Sequence, residues 1–299
     1  MLIPVLPGDG IGPVVIAEAL RVLRAVGVND FLELPFGHRC RVETGEALPE
    51  ATAIAIERAG VALLGAATTD GGPSPILALR RRLGLDLMVR PAAGLVLVGH
   101  AFEGLYWEPE AEHPRWVVTE AGTRRLLAEA FARATRRVTF VDKPTVLRRQ
   151  ATLARACAPP SPVPFEIVNA DAFVAAVLRD RGRYDVVVAN SFVADVLADL
   201  FAALDGGVGA APSASLGERV AVFEPVHGSA PRRAGEDPPR VDPTGAIRAA
   251  AMLLAHVGDP AAETVAAALA AAGPHDGREP TAAFGARVAS LASAVSRRP

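Results

Sequence analysis

The strongest constraint on the fold is a rhythm: a short apolar run, a glycine turn, then a longer segment with apolar residues at helical spacing. LIPVL (residues 2–6) ends in PGDGIGP and leads into VVIAEALRVLRAVG, which reads as strand, turn and helix. LPEATAIAIERAG and VALLGA continue the pattern as helix and strand, TEAGTRRLLAEAFARAT is an amphipathic helix, and RVTFVD is a strand. YDVVVA is a buried strand that runs into the helix SFVADVLADLFAALDG, whose end is marked by Gly206 and Gly207. TGAIRAAAMLLAHVG and the Ala-rich segment near residue 265 close the chain as helices. Strands alternating with helices imply an α/β fold with a largely parallel sheet. The stretch GGVGAAPSASLGERVAVFEPVHGSAPRRAGEDPP is too rich in Gly, Ser and Pro for continuous helix and suits a segment that wraps a ligand. With no internal repeat and no long linker, two domains must be interleaved rather than strung in series.

Composition narrows the function. A chain of 299 residues, 51% apolar, can bury a sizeable core. A net charge of -2, with Arg spread evenly among Asp and Glu, leaves no basic stripe for nucleic acid and no polybasic membrane patch. Cys40 and Cys157 lie far apart without metal-ligand spacing, which argues against a disulfide framework or a structural zinc. The N-terminus lacks a basic leader, and no apolar run reaches membrane-spanning length. The expectation is a cytoplasmic protein that handles small molecules.

Several residues could carry chemistry. Lys143, in VDKPTVL, is the only lysine of a chain otherwise supplied with arginine. Arg stays protonated at any relevant pH and Lys can give its proton up, so a lysine is hardest to exchange where a base is needed. Asp195 and Asp199 stack on one helix face. Their repulsion, roughly 0.2 to 0.5 kcal/mol at that spacing, is relieved by a cation. Asp171 opens the helix before YDVVVA and is expected close enough to join them as a third oxygen ligand for Mg²⁺ or Mn²⁺. GDGIG fits neither the dinucleotide fingerprint nor a P-loop and reads as a tight turn. In HGSAPRR, small residues let a backbone approach a ligand, and Arg232 and Arg233 could fork around a phosphate. Arg80 and Arg90, with Ser74 upstream, could grip a carboxylate-rich substrate, or belong to a solvated helix face beside Arg81 and Arg82.

Taken in order, PGDGIGP, TGEALPEAT, GPSPILALRRRLGLDLMVRP, EGLYW, VDKPTVL, ADVLAD, PSASLGE, EPVHGSAP and DPTGAI resemble the β-decarboxylating dehydrogenases. That family comprises isocitrate, isopropylmalate, homoisocitrate and tartrate dehydrogenases, and the similarity runs from about residue 3 to residue 255. The resemblance implies two interleaved α/β domains with a cleft between them: residues 1–88 with 206–299 on the cofactor side, and 89–205 for dimerisation, metal and substrate. It implies oxidation of a malate-type 2-hydroxy acid by NAD or NADP with Mg²⁺ or Mn²⁺, followed by loss of CO₂. Lys143 matches the base and Tyr106 the acid that protonates the enolate. Asp171, Asp195 and Asp199 match the metal ligands. Ser74, Arg80, Arg90 and Thr145 match substrate positions, and His227, Gly228, Ser229, Ala230, Arg232, Arg233 and Asp242 match the cofactor side. The family works as a homodimer with shared active sites, Lys143 and Asp171 reaching into the neighbouring one.

This chain departs from the pattern. GHAFEGLY stands where the family has RENTEGLY, so a third substrate arginine is replaced by Gly99. Losing such a ligand costs roughly 1.5 to 3 kcal/mol unless His100 or another cation substitutes. The chain runs almost directly from VRPA to LVLVG, and KPTV replaces KANV, so Thr145 stands for an asparagine. Arg232 and Arg233 stand where NAD-linked members carry Asp-Ile, which favours NADP. The expected activity is therefore oxidative decarboxylation of a non-standard substrate. The alternatives are a non-catalytic homologue, oxidation without decarboxylation, or a standard family activity.

Overall fold

A computed structural model describes residues 1–69, 72–108 and 111–296. The chain divides into two compact units, Met1–Leu85 with Gly206–Pro299, and Asp86–Asp205. The first unit opens with β1 (Ile3–Gly8), α1 (Gly12–Ala25), β2 (Phe31–Glu33), α2 (His38–Thr44), α3 (Glu50–Ala59), β3 (Val61–Ala66) and α4 (Pro75–Leu83). Pro13 occupies the first turn of α1, where a missing N–H costs nothing, and Val15, Ile16, Ala19, Val22 and Leu23 form its buried face. Gly45, Gly60 and Gly84 close α2, α3 and α4 in the left-handed conformation that ends helices cheaply.

The second unit holds β4 (Leu87–Ala92), β5 (Leu95–His100), α5 (Glu120–Arg133), β6 (Val138–Asp142), α6 (Arg148–Cys157), β7 (Phe165–Asn169), α7 (Ala170–Arg179), β8 (Val186–Ala189) and α8 (Ser191–Leu204). The chain then returns to the first unit with β9 (Pro212–Leu216), β10 (Ala221–Pro225), α9 (Thr244–His256), α10 (Ala261–Ala272) and α11 (Thr281–Ser296). The Ser- and Pro-rich stretch before α9 is thus not loop throughout. It carries the antiparallel hairpin β9–β10, whose strand residues are all buried.

In the first unit the strand order is β2-β1-β3-β10-β9, with all but β9 parallel. In the second it is β4-β5-β8-β6-β7, with all but β4 parallel. The short link from VRPA to LVLVG is a two-residue hairpin turn: Ala93 and Gly94 both take positive φ, 56° and 76°, as a type I′ turn requires. Parallel strands are buried on both faces and read as apolar runs, which is why β3, β6 and β8 are buried at every residue. Phe173, Phe201, Leu197 and Val187 centre one apolar cluster in the second unit; Ile56, Leu64, Leu79 and Val222 belong to one in the first. Among the described residues no helix is long and apolar enough to cross a membrane.

Candidate active site

In open α/β sheets, ligands gather at the carboxyl ends of parallel strands. The candidate residues of the second unit follow that rule. Tyr106 lies beyond the end of β5, Lys143 directly after β6, Asp171 in the first turn of α7 after β7, and Asp195 and Asp199 on α8 after β8. Arg90 comes from the antiparallel β4, opposite Leu97.

Two groups of contacts result. The Tyr106 hydroxyl donates to Asp195 Oδ2 at 3.1 Å, and Arg90 Nη1 lies 3.8 Å from Asp195 Oδ1. Burial first, and then the charge of Asp195 and its hydrogen bond, push the Tyr106 phenol above its ordinary pKa, so it holds its proton at neutral pH. In the second group Lys143 Nζ lies 2.7 Å from Asp171 Oδ1. The hydrogen bond from Lys143 holds the Asp171 carboxyl below the usual carboxylate range. Thr145 Oγ1 donates to Asn169 Oδ1 at 3.0 Å.

The expectation that Asp171 joins Asp195 and Asp199 is corrected within one chain. Among the described residues, no three His, Cys, Asp or Glu side chains converge on a metal-sized position. The reason is topological: β6 stands between β8 and β7, so the loops carrying Asp195 and Asp171 start two strand spacings apart, roughly 10 Å. Asp195 and Asp199 do share one exposed face of α8. Their carboxylate oxygens are hard ligands of the kind Mg²⁺ or Mn²⁺ takes.

His100 does not substitute for the arginine missing at Gly99. It is buried, and its Nδ1 accepts from the N–H groups of Phe102 at 3.2 Å and Glu103 at 2.9 Å. Burial pushes its pKa down to about 4, with Glu103 opposing the shift and Arg125 adding to it, so the ring is neutral at pH 7. Between pH 6.5 and about 4 the unfolded chain binds a proton here that the folded chain refuses. Stability should therefore fall as pH drops through that window, by on the order of 3 kcal/mol. Urea unfolding of the parent and of His100→Gln at pH 7 and pH 4.5 checks this, and equal losses in both chains would remove His100 as the cause.

In the first unit, the loops after β1, β3 and β10 meet. Asp9 is their hub, accepting from the backbone N–H groups of His38 at 2.7 Å, Thr68 at 2.8 Å and Arg39 at 2.9 Å. Thr68 Oγ1 donates to Ser229 Oγ at 2.7 Å, and Ile11 N–H to the Ser229 carbonyl at 2.8 Å. Gly10 has φ 59°, and a Cβ there would stand 2.0 Å from the Ser229 carbonyl oxygen, so only glycine fits. Sequence reasoning read GDGIG as a plain turn and missed Asp9. A cleft of about 660 Å³ opens beside this hub, lined by Gly8, Gly10, Thr69, Pro231 and Ala234 among others.

The remaining candidates of this unit are placed as follows. Ser74 Oγ caps α4, accepting from Leu77 N–H at 3.4 Å. Arg80 is held by Ser215 Oγ at 3.2 Å and by Glu224 Oε1 at 3.0 Å in a nearly buried pair. His227 has its pKa lowered by burial, and its Nδ1 lies 3.0 Å from the Gly228 carbonyl. Gly228 has nothing within 4 Å of a would-be Cβ, and Ala230 takes φ 40°, leaving the HGSAP backbone open to a ligand. Arg233 is tied to Glu236 at 3.0 Å, whereas Arg232 is exposed and makes no ion pair among the described residues. Asp242 Oδ1 accepts from the N–H of Thr244, the first residue of α9, at 2.8 Å.

Strand-end loops of this kind, present in each unit, are where α/β proteins place their ligand-binding residues. The chain belongs to the isocitrate/isopropylmalate dehydrogenase family, whose model matches residues 2–276. A 3-isopropylmalate dehydrogenase of Frankia casuarinae is 36% identical over 302 residues, covering 86% of this chain and 88% of that one. An isocitrate/homoisocitrate dehydrogenase of Thermus thermophilus is 35% identical, covering 84% of each. The crystal structure of isocitrate dehydrogenase from Methylococcus capsulatus superposes with a TM-score of 0.88 at 32% identity over 100% of both chains. The protein is an oxidative decarboxylase acting on a hydroxy acid, of a family that depends on NAD(P) and on Mg²⁺ or Mn²⁺.

Proposed function

We propose that this chain oxidises a malate-type 2-hydroxy acid whose carbon-3 substituent differs from those of the standard family substrates, and then decarboxylates it at C3. The observation that carries this reading is the survival of the proton machinery: Tyr106 on Asp195, and Lys143 on Asp171. Lys143 takes the hydroxyl proton, and the nicotinamide, when bound, would accept the hydride released from the C2–H bond. The bond from C3 to its carboxylate then breaks, CO₂ leaves, and the electron pair forms an enolate. Tyr106 delivers its proton to C3, and the 2-keto acid is released. Asp171, Asp195 and Asp199 would hold the divalent ion, which when bound would supply Lewis-acid stabilisation of the substrate oxygen. Arg90, Arg80, Ser74 and Thr145 bind and orient the substrate.

The separation of Asp171 from Asp195 within one chain supports a homodimer in which Lys143 and Asp171 of one copy complete the site of the other. The HGSAP loop from His227 to Ala230, with Asp242, takes the nucleotide, and Arg232 and Arg233 favour NADP. Of the pair, Arg232 carries the preference, because Arg233 is already engaged by Glu236. Arg232→Asp alone should shift the NADP to NAD ratio of kcat/KM toward NAD by roughly tenfold or more, on the scale of one charged hydrogen bond. An unchanged ratio in Arg232→Asp/Arg233→Ile would exclude the phosphate fork. The reading as a whole is tested by incubating the purified protein with Mn²⁺, NADP⁺ and a panel of malate-type acids differing at carbon 3. Reduction of the cofactor with CO₂ release is the expected result, and no turnover with any acid and either cofactor would reject it.

A further inference from the structure

Tyr106 is fixed at more than its hydroxyl. Nearly every backbone N–H of the segment leading to it is bonded. Ala101 donates to the Asp86 carbonyl at 2.7 Å and Gly104 to the Val117 carbonyl at 2.7 Å. Phe102 and Glu103 both donate to His100 Nδ1. The Glu103 carboxylate in turn accepts from Thr119 N–H at 3.0 Å, at the start of α5. The last of these bonds is made by Tyr106 itself, whose N–H donates to Ser191 Oγ at 3.2 Å.

Ser191 is fully buried at the first residue of α8, and its own N–H donates to the Glu103 carbonyl at 2.9 Å. Gly104 makes the approach possible: it takes φ 111°, and a Cβ there would stand 2.8 Å from Ser191 Oγ. Asp195, which receives the Tyr106 hydroxyl, is one turn further along the same face of α8. Phe192, between them in sequence, meets the Tyr106 ring edge-on at 6.5 Å. We propose that Ser191 is the positioning residue of the proton donor, with Ser191 and Asp195 clamping Tyr106 at its backbone and its hydroxyl so that the phenol is registered to α8.

The proposal rests on the reading of Tyr106 as the group that protonates C3. In that step the phenol O–H breaks as the C3–H bond forms, and solvent returns a proton to the phenolate afterwards. Hydride transfer precedes it and does not use the phenol. A misplacement of about 1 Å costs on the order of 100-fold in rate where geometry is preorganised, so loss of the Ser191 hydroxyl should fall on the proton step alone.

The experiment compares the parent with Ser191→Ala. Hydrogen exchange of the peptide spanning residues 101–108, read by mass spectrometry, should show one amide exchanging at least tenfold faster in the variant. Single-turnover mixing with Mn²⁺, NADP⁺ and the accepted acid should show the burst of cofactor reduction retained at unchanged KM, while steady turnover and product formation fall roughly 10- to 100-fold. An unchanged exchange rate, or burst and turnover falling together, overturns the proposal. Should the alanine chain not fold, Ser191→Cys keeps the volume with a far weaker acceptor and is read in the same way. If Tyr106→Phe turns over as fast as the parent, the assignment of Tyr106 has failed, and the exchange arm still decides whether Ser191 holds that amide.

Discussion

Lys143→Arg is expected to lower turnover by about 100- to 10,000-fold, the range a positioned general base contributes, while leaving the thermal midpoint within about 2 °C of the parent. The second half of that expectation follows from the ion pair. Lys143 and Asp171 are 41% and 70% exposed, and exposed pairs contribute at most about 1 kcal/mol. Arginine keeps the positive charge and can reach the same carboxylate, so the pair survives in altered form. The proton acceptor does not survive, because a guanidinium stays charged at any working pH. Lys143→Ala should show the same loss of rate and also free Asp171, whose carboxyl would return toward its ordinary range without the lysine. Steady-state rates with Mn²⁺ and NADP⁺, beside a thermal melt of each chain, separate the two effects. An arginine variant that keeps more than a tenth of the parent rate would remove Lys143 from the role of base.

The linear sequence made the parallel strands legible because burial on both faces writes them as unbroken apolar runs, and glycine marked where helices stop. It made Lys143 legible as the lone lysine and Asp195 and Asp199 as a pair at helical spacing, whereas Tyr106 emerged only through the family resemblance. What it left hidden are relations across the sheet. The strand order places β6 between β7 and β8, and only that order shows Asp171 standing with Lys143 rather than with Asp195. His100 could be read as a spare cation until its ring was found turned inward as an acceptor for two amides. Asp9 carries no signal of its long-range partners, which lie 29, 30 and 59 residues away. Such contacts are set by loops meeting in space, and periodicity does not encode them.

Gly99→Arg should destabilise the chain by about 3 kcal/mol, at the upper end of overpacking in a filled core, and should not improve substrate affinity. Gly99 pairs with Met88 on β4 and Ala189 on β8, and it is buried. A Cβ at this position would stand 2.6 Å from the Ala194 Cβ, and Ala194 is itself fully buried on α8. The helix therefore lies where a longer side chain would have to leave the strand. An arginine placed at Gly99 alone therefore meets Ala194 of α8. Ala194→Gly should cost about 1 kcal/mol alone, the ordinary price of glycine within a helix. Combined with Gly99→Arg it should recover a large part of the lost stability, a coupling of about 1 to 3 kcal/mol in a double-mutant cycle. Urea unfolding of the four chains measures that coupling, and KM across the acid panel tells whether the restored arginine reaches substrate. If Gly99→Arg alone proved as stable as the parent, contact with Ala194 would not be what excludes a longer side chain from this strand. If the coupling is found, Gly99 and Ala194 act together in closing this strand to a longer side chain, while Arg90 stays 3.8 Å from Asp195.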